Sequence, residues 1–90
     1  MALQIINAGP PPEEIAEQIR AAIANTLPEA TIDVRPQGPG HFEITVTDTA
    51  FEGLNRVKQQ QLVYGAITDL MAGASPPVHA VDRLECLVPS

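Results

Sequence analysis

The side chains best suited to nucleophilic or metal chemistry in this chain are few: one cysteine, Cys86, and two histidines, His41 and His79. A thiol nucleophile needs a base in contact. Cys86 and His79 stand seven residues apart on one predicted strand, roughly 23 Å at about 3.3 Å per residue, so Cys86 reads as a small, half-buried apolar residue. Glu13, Glu14 and Glu17 fall in the first turn of a predicted helix, where negative charge complements the helix dipole. Glu43, Asp69 and Glu85 alternate with apolar residues as solvated faces do. No glycine loop ends in Lys-Ser or Lys-Thr and no two histidines lie one helical turn apart, which removes the phosphate-cradle and zinc-protease patterns. No enzyme constellation survives, and a non-enzymatic protein is expected.

What remains is the placement of the histidines, each at the start of a predicted strand. If those strands are parallel neighbours, about 4.8 Å apart, both imidazoles can approach one small site beside the glycine-rich loop. Two imidazoles alone are an incomplete iron or zinc site, since such sites ask for four ligands. A partner would have to complete it. The plainer readings are a polar residue closing a loop for His41 and a hydrogen-bonded core histidine for His79.

The elements that must position them follow from periodicity. Pro12-Glu13-Glu14 opens a helix, with proline at the first helical position and acids in the first turn. Ile15, Ile19, Ala22 and Ile23 make its apolar stripe, and Pro28 stops it near Asn25 to Leu27. Thr31 to Arg35 alternates as a half-buried strand, and Pro36-Gln37-Gly38-Pro39-Gly40 reads as a five-residue loop. His41 to Thr47 has a cleaner period of two, with Phe42, Ile44 and Val46 on one face. A second helix is expected from about Asn55 to Met71, burying Val57, Val63, Ala66, Ile67, Leu70 and Met71, with Gly73 ending it. Gly65 inside it implies the close approach of another backbone. The last strand lies near Val78 to Val88.

The order helix, strand, strand, helix, strand predicts an α+β fold with helices on one face of a three-stranded mixed sheet. A right-handed crossover through the long helix makes the second and third strands parallel. Residues 12–90 form the domain. Residues 1–11, an apolar Ala2 to Ile6 followed by a breaker cluster, form an extension expected to supply an extra strand or a subunit contact.

Ninety residues make one thin-cored domain. With 44% hydrophobic residues but one Tyr, two Phe and no Trp, aliphatic side chains must supply the burial. Eleven acids against five bases give a net charge of −6, a field that repels phosphate backbones and anionic lipid. Outside the first helix and strand only Arg56, Lys58 and Arg83 could form a basic strip. A single cysteine fits a reducing compartment. The opening carries neither a basic signal region nor a span, and a cytoplasmic protein is expected.

The run Phe51-Glu52-Gly53-Leu54-Asn55-Arg56-Val57-Lys58-Gln59-Gln60-Gln61-Leu62-Val63-Tyr64-Gly65, followed by Val78-His79-Ala80-Val81, resembles the BolA-like family. Most members carry Arg-His-Arg where Gln59-Gln60-Gln61 stands here. The Val-Lys-x-Gln-Gln-x-Val-Tyr-Gly wording and His41-Phe42 resemble its YrbA/IbaG branch. The resemblance spans about Pro12 to Val81. It implies a fold similar to class II KH domains and a monothiol glutaredoxin as partner, sharing a [2Fe-2S] cluster in iron-sulfur trafficking or in iron and stress regulation. In that picture His79 ligates iron and His41 is the best match to a second ligand, while the glutaredoxin brings a cysteine and glutathione. The isolated chain is expected to hold no cofactor. Gly40, Phe51, Gly53, Arg56 and Lys58 are the implied partner contacts. The last strand fits the family only with one extra residue, placing a bulge at Asp82, and the terminal helix of the family has no counterpart. The N-terminal segment is expected to take over part of the surface which that helix would cover.

Two other functions compete. A KH-like nucleic-acid-binding transcriptional regulator shares the fold, but the Gly-x-x-Gly loop with basic flanks that a KH clamp needs is missing between the helices. A homo-oligomeric adaptor assembled through the N-terminal segment would leave the histidines without a role.

Overall fold

The computed structural model describes residues 10–90; the expected extra strand at Leu3 to Ile6 lies outside them. Helix α1 spans Pro12–Thr26, with Pro at its start and Glu13 and Glu14 in the first turn. It ends where the Leu27 N–H bonds the Ile23 carbonyl and Pro28 follows. Its stripe is buried as the spacing predicts, through Ile15, Ile19 and Ile23, with Ala16 inside as well.

Strands β1 (Thr31–Gly38) and β2 (His41–Thr47) pair antiparallel, and β3 (Ala80–Leu87) pairs parallel with β2. The sheet order is β1-β2-β3, so the parallel strands are neighbours. The hairpin connection is shorter than the sequence suggests. Pairing continues through Pro36 opposite Phe42 and Gly38 opposite His41, with Gln37 bulged out between them. Only Pro39 and Gly40 turn the chain. Proline is tolerated because β1 is an edge strand, and Gly38 and Gly40 both adopt positive φ. The expected bulge in the last strand is present: Phe42 pairs with Val81 and Glu43 with Arg83, leaving Asp82 unpaired.

The second helical region is two pieces, α2 (Arg56–Ala66) and the single turn α3 (Thr68–Met71). The Thr68 hydroxyl donates to the Tyr64 carbonyl at 3.0 Å, taking the acceptor that the Thr68 N–H would use in a continuous helix. The Ile67 N–H also reaches Tyr64, three residues back, and the junction tightens around the fully buried Ile67 side chain. Two expectations fail on this element. Val57 is 62% exposed, because in the first turn it points round the helix away from Val63 and Ile67. Gly65 is exposed and nothing lies within 4 Å of where its Cβ would be, so no backbone in this chain approaches it.

The core sits between the helices and one sheet face. Ile19, Ile23, Phe42, Ile44, Val46, Phe51, Val63, Ile67 and Val78 are all at or below 1% exposure. Each such side chain contributes about 1.5–3 kcal/mol through burial, the main driving force of a small aliphatic core. Val78, just before β3, is tied down by its N–H to the Leu70 carbonyl at 3.1 Å.

Gly65 sits in a helix interior with open space at its Cβ position. Gly65→Ala is therefore expected to stabilise the fold by about 0.5–1 kcal/mol, read as a higher urea midpoint at unchanged slope.

Candidate functional site

His79 follows the buried Val78 and is itself exposed. The tertiary fold fixes its backbone: the His79 N–H donates to the Gly40 carbonyl at 2.8 Å, and the Ala80 N–H shares that acceptor at 3.1 Å. These bonds dock the start of β3 against the hairpin turn. The imidazole then lies over the Gly40 Cα. A Cβ built on Gly40 would stand 2.5 Å from both Cγ and Nδ1 of the ring, and Gly40 has φ +78°. Glycine is required there twice over, by backbone conformation and by contact.

The ring borders a cleft of about 710 Å³ between the start of α1, the hairpin turn and the Ser75-Pro76-Pro77 segment. Pro10, Pro12, Ile15, Pro76 and Pro77 make most of its wall. Prolines carry no N–H, so this wall offers few donors, and His79 is the one titratable side chain lining it among the described residues. Among those residues neither nitrogen of the His79 ring has a hydrogen-bond partner. The core-histidine reading does not hold; the ring is open to whatever enters the cleft.

His41 goes elsewhere. It starts β2 next to Phe42, which is fully buried on the helix side, and the pleat turns its side chain to the open face. There Nδ1 lies 2.9 Å from Asp82 Oδ1, and both side chains are nearly half exposed. The backbones of the two histidines meet at one end of the sheet, but their rings point to opposite faces. The expectation that both imidazoles converge on one small site is corrected by strand alternation and by the Asp82 bulge, which supplies His41 with a closer partner. Among the described residues no three His, Cys, Asp or Glu side chains cluster as a metal site.

The implied partner contacts also divide. Gly40 lies at the His79 cleft. Phe51 has no exposed surface; it closes the core beneath a 3-10 turn at Thr49–Phe51, and cannot touch a partner. Gly53, at φ +81°, is exposed in the turn before α2, and Arg56 and Lys58 are exposed in its first turn. These three sit beyond the far end of β2, about 20 Å of strand from His41. Asn55 caps α2 by accepting from the Lys58 N–H at 2.9 Å. Gln59 has a role that sequence reading missed. Its side-chain amide donates to the carbonyls of Phe51 and Leu54, each at 3.1 Å, and locks the turn onto the helix. The signal was one glutamine in a run of three, with nothing local to single it out.

Cys86 is half-buried near the end of β3. Burial pushes its thiol above the ordinary cysteine range, the opposite of what an activated nucleophile needs. No helix among the described residues is long and apolar enough to cross a membrane.

The family model for BolA-like proteins matches residues 14–89. The chain belongs to the BolA-like family. Acid stress protein IbaG of Escherichia coli K12 is 33% identical over 64 residues, covering 71% of this chain and 73% of that protein, which supports the YrbA/IbaG branch. Among solved structures, BolA1 of Mus musculus superposes with a TM-score of 0.74 at 25% identity, covering 99% of this chain and 77% of that one. The BolA domain of SufE1 from Arabidopsis thaliana has the same fold, with a TM-score of 0.65 at 21% identity over 98% of this chain and 96% of that one. The BolA-like match includes Val78-His79-Ala80-Val81 and the strand with its bulge at Asp82.

Gly40→Ala should force the His79 ring aside and cost about 1–2 kcal/mol for the left-handed backbone. The check is an equilibrium melt together with the imidazole proton shifts of His79, which should move while those of His41 stay. Adding His79→Ala should recover the part of the loss due to contact and leave the backbone part. Cys86 should alkylate more slowly at neutral pH in the folded chain than in urea; equal rates would contradict the burial of its thiol.

Proposed function

We propose that this BolA-like protein partners a monothiol glutaredoxin and shares a [2Fe-2S] cluster with it, in iron-sulfur trafficking or in iron and stress regulation. The observation that carries the reading is the His79 imidazole: exposed, free at both nitrogens among the described residues, and held by Gly40 at the rim of an apolar cleft. A neutral imidazole is a competent iron ligand. One ligand from this chain is chemically sufficient only if a second protein provides the others. Glutaredoxin cysteine and glutathione are the ligands required. The apolar wall would exclude water and supply contact area once the partner is seated. The cluster is cargo passing between proteins and not a resident cofactor of this chain. Stress regulation draws support from the E. coli relative, which is named an acid stress protein.

His79 is the ligand in this reading. His41 enters only by leaving Asp82 and swinging round the strand end, so its contribution is subordinate. Nucleic-acid binding gains nothing from the fold: Arg35 lies 2.8 Å from Asp33, Arg56 and Arg83 line a groove that also holds Glu85, and the net charge is −6.

The test mixes the protein with a monothiol glutaredoxin, glutathione, iron and sulfide without oxygen, and follows visible absorption and circular dichroism. The expected spectrum differs from that of the glutaredoxin alone, is lost in His79→Ala and persists in His41→Ala. A spectrum unchanged by His79→Ala would sink the assignment. Salt-sensitive retention on DNA at physiological ionic strength would favour the regulator instead.

A further inference from the structure

The sheet has two edges, and they are treated differently. Strand β1 carries Pro36 and the Gln37 bulge, devices that blunt an edge against pairing. Strand β3 is the other edge, and from Arg83 to Leu87 it is regular. Among the described residues its outer backbone groups have no partner strand. A groove of about 350 Å³ runs beside it, between the strand and the Arg56, Gln59 and Gln60 side of α2. The large apolar side chains left exposed among the described residues are Val57, Tyr64, Leu87 and Val88. All of them lie on α2 or at the end of β3. At about 100° per residue, Val57 and Tyr64 continue round the helix from Arg56 and Gln60, which line the groove beside β3.

We propose that this edge is a self-association surface, on which a second copy of the chain adds its β3 antiparallel about a two-fold axis through Leu84. The charge pattern selects both the occupant and the register. In that pairing Arg83 stands opposite Glu85 of the second copy on the open face, and symmetry repeats the pair. Leu84 meets its own copy on the helix side. Centring the axis one residue later would set Glu85 against Glu85. Within one chain Arg83 and Glu85 approach only to 3.7 Å, with their side chains 67% and 44% exposed, so both can turn to a closer cross-chain pair. The result is a continuous six-stranded sheet in which Val57 and Tyr64 of the two α2 helices face each other across the seam. Strand addition supplies backbone hydrogen bonds and the charges supply specificity. A chain of net charge −6 repels its copy at long range, so local opposite-charge pairing is needed for association.

The proposal does not rest on cluster sharing, and its test contains neither iron nor glutaredoxin. Sedimentation velocity of the whole chain across a micromolar-to-millimolar series should show a reversible dimer. Arg83→Glu places like charges across the seam and should weaken dimerisation at least about tenfold. Combining Arg83→Glu with Glu85→Arg restores opposite charges and should recover most of that loss. Both positions are on the solvent face, and unchanged far-ultraviolet circular dichroism separates loss of association from loss of fold. A chain that stays monomeric at millimolar concentration overturns the proposal, and so does a dimer indifferent to Arg83→Glu or one that the double exchange fails to rescue.

Discussion

The Gly40 carbonyl accepting the N–H groups of His79 and Ala80 is the contact on which the arrangement at the site depends. It closes the parallel pairing of β3 against β2 at the end where β2 begins. It also sets where His79 can be. Because the ring rests over a glycine Cα, the side chain is placed by a backbone and a neighbour that cannot grow. A flexible polar residue is thereby given a defined position at the mouth of a cleft, and among the described residues no hydrogen bond occupies its nitrogens.

The rest of the structure serves to hold that junction. Val78, one residue earlier, is in the core and tied to Leu70, so the chain reaches His79 from a fixed point. Phe42, one strand over, fills the core beneath the same end of the sheet. The helix α1 brings Pro12 and Ile15 to the opposite wall of the cleft. Exposure at His79 and burial at Val78 are thus two sides of one transition, from aliphatic core to an apolar but accessible surface.

Much of the fold was legible because it rests on local rules. The α1 start at Pro12-Glu13-Glu14, the alternation from His41 to Thr47 and the parallel relation of β2 and β3 each follow from periodicity or connection geometry. The bulge at Asp82 came instead from the resemblance of the last strand to the family, which fits only with one extra residue. The errors came where long-range contacts outvote local pattern. Pro36 to Gly38 looked like loop because proline and glycine usually break strands, yet an edge strand tolerates both. Val57 was placed on the apolar stripe, yet at about 100° per residue it lies about 120° round the helix from the buried Val63. Phe51 looked like a contact because it stands in a motif of exposed residues, whereas the 3-10 turn folds it inward.

The sequence by itself determined which residues are available for chemistry, that each histidine opens a strand, and that a lone cysteine on the last strand is a packing residue, since composition and period of two need no third dimension; that the two strands are neighbours came only with the sheet order. Only the tertiary structure decided that the imidazoles part company. Their separation depends on which sheet face each strand end presents and on a bulge that brings Asp82 to His41, both set by register between strands distant in sequence. The cleft at His79 likewise exists only when α1, the hairpin turn and the Pro76-Pro77 segment are packed together, and no local pattern encodes the space between them.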